Sequence, residues 1–278
     1  VLSFSFLINI QGEDKMSLAF TDPSKLFDIR GRRILITGSG SGIGFGIARG
    51  LGAAGSKIIL NGRGREKLEE AAGALSDEGI QVETAPFDVS DPNTIAENID
   101  RIEAEMGPID VLINNAGTNR RGRMTDISAQ DYQAVMQANV DGLFLTTRSV
   151  SAHMQKRKAG KIINICSALS KMGRKGAVAY SGSKAAAAMM TASMCDELAG
   201  DNIQVNGIAP GYFLTEITQF IKDNPEQNAW LMGRTPAARW GQLEDLIGAA
   251  VFLSSDASNF VNGHVIYVDG GLTAVMGG

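Results

Sequence analysis

Seven short strand-like segments recur along the chain, at residues 33–37, 57–60, 82–86, 109–113, 161–165, 203–208 and 264–268. Each is too brief for a typical buried helix. Those that are apolar without polar alternation suit strands covered on both faces. Between them lie stretches with helical periodicity or dense charge, predicted as helices at about 43–54, 65–75, 92–106, 129–156, 177–199 and 243–254. A strand–helix alternation of this kind predicts right-handed crossovers and parallel strands. The expected fold is α/β: a doubly wound parallel sheet of about seven strands with helices on both faces, in a single domain. A length of 278 residues fits that reading. Residues 212–240 break the alternation, with Pro225, Pro236, Trp230 and Trp240 and few strand signals. Long connections in compact domains are often functional, so this one is expected to be a substrate lid. Tyr212, Phe213, Trp230 and Met232 either line it or pack as ordinary core, and Arg239 is expected to brace its base.

The junction between the first strand and first helix reads Thr37-Gly-Ser-Gly-Ser-Gly-Ile-Gly44. Glycines at 38, 42 and 44 allow a tight turn and close backbone approach to a pyrophosphate. The free N–H groups and positive end of the helix then favour phosphate oxygens. This makes the sheet Rossmann-type, with Gly38, Ser39, Ser41, Gly42, Ile43 and Gly44 as cofactor-binding candidates. Many dinucleotide folds end the second strand in an acid that binds the ribose 2′-OH. Here Asn61-Gly62-Arg63 stands instead. Arg63 either holds a 2′-phosphate in forked geometry or is a solvated turn residue. The first alternative gives NADP(H) as the preferred cofactor, with NAD(H) possible. Asp88 either accepts from the adenine amino group or caps a helix start. Asn114-Asn115-Ala116-Gly117 ends the fourth strand, where small residues admit the cofactor and the Asn amides can tie adjacent loops.

Tyr180 and Lys184 are spaced to share one face of a helix, and Ser167 precedes Tyr180 by thirteen residues. A free phenol titrates near about pH 10, and a lysine ammonium beside it favours the phenolate. The pair is either a tuned acid/base or a surface pair contributing about 0.2–0.5 kcal/mol. A serine hydroxyl from another segment would polarise a carbonyl oxygen. Cys166, next to Ser167, has no histidine partner in the sequence, and its place at a strand end suits packing.

Taken in order and spacing, Thr37-Gly38, Gly42-Ile43-Gly44, Asn114-Asn115-Ala116-Gly117, Asn139, Ser167, Tyr180-x-x-x-Lys184 and Pro210-Gly211 resemble the short-chain dehydrogenase/reductase family over about residues 28–272. The resemblance implies hydride transfer with a nicotinamide cofactor. It implies Tyr180 as the proton donor or acceptor, and Ser167 as the holder of the substrate oxygen. Lys184 would bind the nicotinamide ribose, and Asn139 would help position a water linking Lys184 to solvent. Val89, Tyr180, Lys184, Pro210 and Gly211 join the implied cofactor contacts. Stretches 119–121, 202–213, 234–241 and 260–264 resemble family members that interconvert D-gluconate and 5-keto-D-gluconate. Relatives carry an acid where Gly62 stands, a departure that supports NADP(H). A small anionic sugar-acid substrate needs its carboxylate held. Either Arg120 or Arg121 is placed to do so, and Ser167, Tyr180 and Tyr212 complete the candidate substrate set. The competing readings are another carbonyl reductase, such as one acting on 3-oxoacyl thioesters, and a non-enzymatic NADPH-binding protein. The family also implies a homotetramer built on the helices carrying Asn139 and Tyr180. The run Ala185–Met190 either serves that packing or faces the core.

Net charge −4 leaves no basic footprint for nucleic acid. Cys166 and Cys195 make no disulfide framework, which suits a reducing cytoplasm. With His153 and His264 as the two histidines, no common metal site is expected. Residues 1–10 are apolar, but a membrane span needs about 20 such residues. They also lack the basic segment of a signal peptide. Residues 1–27 read as an N-terminal extension, with 1–15 vector-derived or upstream and Met16 a plausible natural start. Residues 28–278 then form the catalytic domain.

Overall fold

The computed structural model describes residues 22–215 and 218–276, so the reading of residues 1–15 lies outside the described residues. In chain order the elements are α1 (Pro23–Leu26), β1 (Arg33–Ile36), α2 (Gly42–Ala53), β2 (Lys57–Gly62), α3 (Arg65–Asp77), β3 (Val82–Pro86) and α4 (Ile95–Arg101). There follow β4 (Val111–Asn114), α5 (Ala129–Met136), α6 (Gly142–Arg157), β5 (Gly160–Ile165), α7 (Val178–Leu198) and β6 (Ile203–Pro210). The last are α8 (Gln219–Lys222), α9 (Pro225–Arg234), α10 (Glu244–Ser254) and β7 (Val265–Val268). The seven strands form one sheet in the order β3-β2-β1-β4-β5-β6-β7. Every pairing is parallel, as the alternation predicts.

Alternate strand residues feed two opposite cores. Ile34 and Ile36 of β1 pack with Ile47 and Leu51 of α2, Leu68 and Leu75 of α3, and Leu246 and Leu253 of α10. Leu35 and Leu112 face the other way, against Ile95 and Ile99 of α4, Val150 and Met154 of α6, and Leu198 of α7. That is why β1 and β4 read as unbroken apolar runs: both faces are dry. Each such fully buried side chain stabilises the fold by about 1.5–3 kcal/mol relative to exposure. In the run at 185–190, Ala187, Ala188 and Met190 pack inward while Met189 is exposed.

The chain leaves β1 toward β2 and β3, then returns to place β4 on the other side of β1. Helices depart in opposite directions there and open a crevice at the carboxyl ends of β1 and β4. Three details differ from the sequence reading, the first being that the helix expected over 92–106 runs Ile95–Arg101 and passes into a π turn at Ile102–Met106. The helix expected over 129–156 contains a π turn at Gln137–Asp141, followed directly by Gly142. The 212–240 segment carries two short helices, α8 and α9. The second is signalled by a helix-start pattern: Asn224 accepts from the Gln227 N–H and Pro225 occupies the first turn.

Candidate active site

The loop after β1 is held by its own side chains. Gly38 has φ +62, and a Cβ there would lie 2.7 Å from the Ala116 Cα, so only glycine fits between the β1 and β4 loops. Gly44 opens α2 so close to Asn115 that any side chain would collide with that amide. Asn115 donates from Nδ2 to the Thr37 and Gly38 carbonyls at 2.9 and 2.8 Å. The Thr37 hydroxyl in turn accepts from the Asn115 and Ala116 N–H groups, both at 3.0 Å. These bonds are the loop ties expected of the Asn amides.

Ser39 is fully buried; its hydroxyl donates to the Ile36 carbonyl and accepts from the Asn61 N–H. It therefore pins the loop from within. Ser41 is exposed at the start of α2 and makes no side-chain cap bond, and Ile43 packs partly against the core. This leaves a cradle of main chain, glycine and the exposed Ser41 hydroxyl at a helix N-terminus, a shape and polarity that fit a pyrophosphate.

At the end of β2, the Arg63 side chain is 79% exposed and reaches Asp88 at 3.8 Å. Both adenosine-side candidates thus meet at one corner of the crevice. Asp88 accepts from the Ser90 N–H and hydroxyl, an Asx turn, and does not cap α4, whose N-cap is Thr94. The neighbouring Val89 is buried, and its carbonyl lies against Gly142. Across the sheet, Pro210 ends β6 beside Val268, and the Gly211 N–H donates to the Val268 carbonyl.

Ser167 follows β5 and caps a single turn at Ala168–Ser170, accepting from the Leu169 N–H at 3.1 Å. The Ser170 hydroxyl accepts from the Ser167 N–H and donates to the Lys184 carbonyl at 2.8 Å. Ser170, absent from the sequence candidates, therefore clips Ser167 to the first turns of α7. Its signal is the serine spacing of a capping box. On α7, Tyr180 is half-buried and Lys184 buried. The Lys184 ammonium lies 5.9 Å from the Tyr180 ring centroid and donates to the Ile165 carbonyl at 2.6 Å.

Asn139 sits inside the π turn, where such turns often mark functional sites. Its Oδ1 accepts from the Thr118 N–H at 2.7 Å; its Nδ2 donates to the Thr118 carbonyl and to the Ser183 hydroxyl. It thus joins the segment after Gly117 to Ser183 of α7, one residue from Lys184.

The basic candidates separate. Arg120 turns toward Asp131 at 3.7 Å on the surface. Arg121 lies over the Phe220 ring of α8 at 5.4 Å. Arg174, outside the sequence candidates, stacks over Tyr212 at 5.2 Å and over Trp230 of α9 at 5.6 Å. Tyr212 also meets Trp240 edge-on, and Arg239 grips Asp245 through both nitrogens, bracing the base of this segment as expected. Burial pushes the Cys166 thiol up to about 11, so at neutral pH it is a packed apolar group. No helix among the described residues is long and apolar enough to cross a membrane.

A model of the short chain dehydrogenase family matches residues 32–226. The chain is 52% identical over 251 residues to 5-keto-D-gluconate 5-reductase of Escherichia coli (strain K12), covering 90% of this chain and 99% of that one. It is 46% identical to gluconate 5-dehydrogenase of Gluconobacter oxydans (strain 621H), covering 90% of this chain and 98% of that one. Among solved structures it superposes, with TM-score 0.89 and 45% identity, on a gluconate 5-dehydrogenase from Burkholderia cenocepacia J2315 in complex with NADP and tartrate, covering 92% of this chain and all of that one.

Proposed function

This chain belongs to the short-chain dehydrogenase family, and on that premise we propose that it interconverts D-gluconate and 5-keto-D-gluconate with NADP(H). The observation that carries the reading is the near full-length similarity to a 5-keto-D-gluconate 5-reductase, supported by the Ser170 clip between the Ser167 turn and α7 and by the nearness of the Lys184 ammonium to the Tyr180 ring. When bound, the nicotinamide supplies or accepts the hydride.

The protein's own part is proton handling and orientation. Tyr180 donates its phenolic proton to the substrate oxygen during reduction and takes it back during oxidation. The Lys184 charge stabilises the phenolate left behind and binds the nicotinamide ribose. Ser167 accepts from the Leu169 N–H, so its own proton is free to donate to the same oxygen as charge develops there. Asn139 holds the β4 loop and α7 in register, and with them any water that relays protons to Lys184. Gly38 to Gly44 cradle the pyrophosphate, Arg63 and Asp88 take the adenosine half, and Arg121 takes the substrate carboxylate.

Residues 28–278 make the catalytic domain, with 212–240 as its lid. The protein works in the cytoplasm as a homotetramer; exposed Phe144 on α6 and Met189 on α7 support a helix-borne interface. NADPH oxidation across a panel of keto-acids and 3-oxoacyl thioesters tests the function. Highest kcat/KM on 5-keto-D-gluconate is expected. Preference for a thioester would replace the substrate assignment, and activity on none would remove the enzymatic one.

A further inference from the structure

Two loops bring a pair of guanidinium groups to the lid. One carries Arg121 after β4; the other carries Arg174 ahead of α7. A backbone bond from the Gly122 N–H to the Gly176 carbonyl, 3.1 Å long, fastens the loops together. Each guanidinium is then laid on lid aromatics: Arg121 on Phe220, Arg174 on Tyr212 and Trp230. Stacking on the faces leaves the planar edges as donors.

Among the described residues, one of these donors is buried without a partner. Nη1 of Arg174 is buried without a hydrogen bond among the described residues. No ion pair among the described residues joins Arg121 or Arg174 to an acid, whereas Arg120 has Asp131. Burial first, and the Arg121 charge second, depress the Arg174 pKa from its ordinary value. A buried donor left unsatisfied is costly, and so is the mutual repulsion of two cations. One carboxylate, with two oxygens and four lone-pair directions, relieves both. The position is also right for a substrate group. Arg174 precedes Tyr180 on the same loop-to-helix path, and Tyr212 follows Gly211 at the carboxyl end of β6.

Resting on the sugar-acid reading above, we propose that Arg174 is the second arm of a carboxylate clamp, acting with Arg121, and that Arg120 is not part of it. In 5-keto-D-gluconate the carboxylate and the ketone lie toward opposite ends of the chain. Tyr180 and Ser167 would therefore take the ketone while the two arginines hold the far end.

The test compares 5-keto-D-gluconate with L-sorbose, the same skeleton with the carboxylate reduced to a primary alcohol. For Arg174→Gln the ratio of kcat/KM for the acid over the neutral sugar should fall by about tenfold to a hundredfold, carried mainly by KM for the acid. Arg174→Lys keeps the charge without the fork and should fall between. NADPH affinity, read by fluorescence, should hold in both. A ratio unchanged in Arg174→Gln, or equal losses on both substrates, overturns the clamp and leaves the gluconate reading standing. A wild-type enzyme inactive on 5-keto-D-gluconate overturns that reading and the clamp with it.

Discussion

The two sides of the crevice are built in different ways. On the cofactor side, between the β1 and β4 loops, Thr37, Ser39, Asn61 and Asn115 tie the chain by hydrogen bonds at about ideal distances, while the Oδ1 atoms of Asn61 and Asn114 are buried without a partner among the described residues. Along the 212–240 segment, hydrogen bonds such as Trp240 Nε1 to Asn228 Oδ1 stand beside contacts between rings and guanidinium groups, and Phe220 and Trp230 remain about half exposed. A surface that must recognise an invariant pyrophosphate can be frozen in advance. A surface proposed to choose among carbonyl compounds can leave a donor for the substrate, as with Nη1 of Arg174, which has no partner among the described residues.

The residue shared by both sides should show the largest effect. Tyr180→Phe removes the proposed proton donor without altering the cradle. Turnover should fall by about 10²–10⁴-fold while NADPH still binds, measured by steady-state kinetics and nucleotide fluorescence. Turnover near wild type would take Tyr180 out of the chemistry.

A rigid cofactor side makes a second demand. Gly38→Ala forces a side chain into positive φ and against the Ala116 backbone. Displacing a preorganised loop by even about 1 Å can cost about 10²-fold in kcat/KM. The loss should appear as weaker NADPH binding, with KM for the keto-acid little changed once the cofactor saturates. A variant with wild-type NADPH affinity would show that this loop yields, and that the contrast between the two sides is overstated.

Arg63 lies at the border, fixed to nothing stronger than Asp88. Arg63→Ala should lower the NADPH/NADH ratio of kcat/KM by about tenfold or more, the loss of a charged hydrogen bond to the 2′-phosphate. The effect should shrink as salt rises, because the side chain is exposed. An unchanged ratio would make Arg63 a solvated turn residue and move cofactor choice elsewhere.

The same division explains what could be read from the sequence. The strands, their parallel order and the β1 loop follow from local rules: apolar runs of strand length, glycines at forced positions, a strand–turn–helix context. The Tyr180 and Lys184 pair follows from helical spacing. Arg174 does not, because its meaning arises only when Tyr212 and Trp230, distant in sequence, close over it. Arg120 and Arg121 are adjacent and chemically identical; what separates them is which way each turns, toward Asp131 or toward Phe220. The π turn at Asn139 is equally silent in the pattern: its one extra residue rotates the helix face by about 100°, and the apolar positions on either side are too few to show the slip.

Cys166 gives the smallest expected effect and the cleanest control on this division. It follows β5 beside Ser167, 2% exposed, among Leu143, Ala187 and Ala209. Burial holds its thiol at about 11 against the pull of the Lys184 charge, so the thiolate is scarce at any pH where the enzyme would work. The sign matters: a raised thiol pKa keeps the neutral form through neutral and mildly alkaline pH, and reactivity appears only as pH climbs toward that value. Alkylating reagents at neutral pH should therefore leave activity intact in the folded protein. Cys166→Ala should retain kcat within about twofold and lose about 1 kcal/mol of stability to the small cavity, read by turnover and denaturant unfolding. If kcat instead fell by orders of magnitude with NADPH binding preserved, the thiol would belong to the chemistry, and the boundary between packed core and reactive crevice would have to be redrawn through β5.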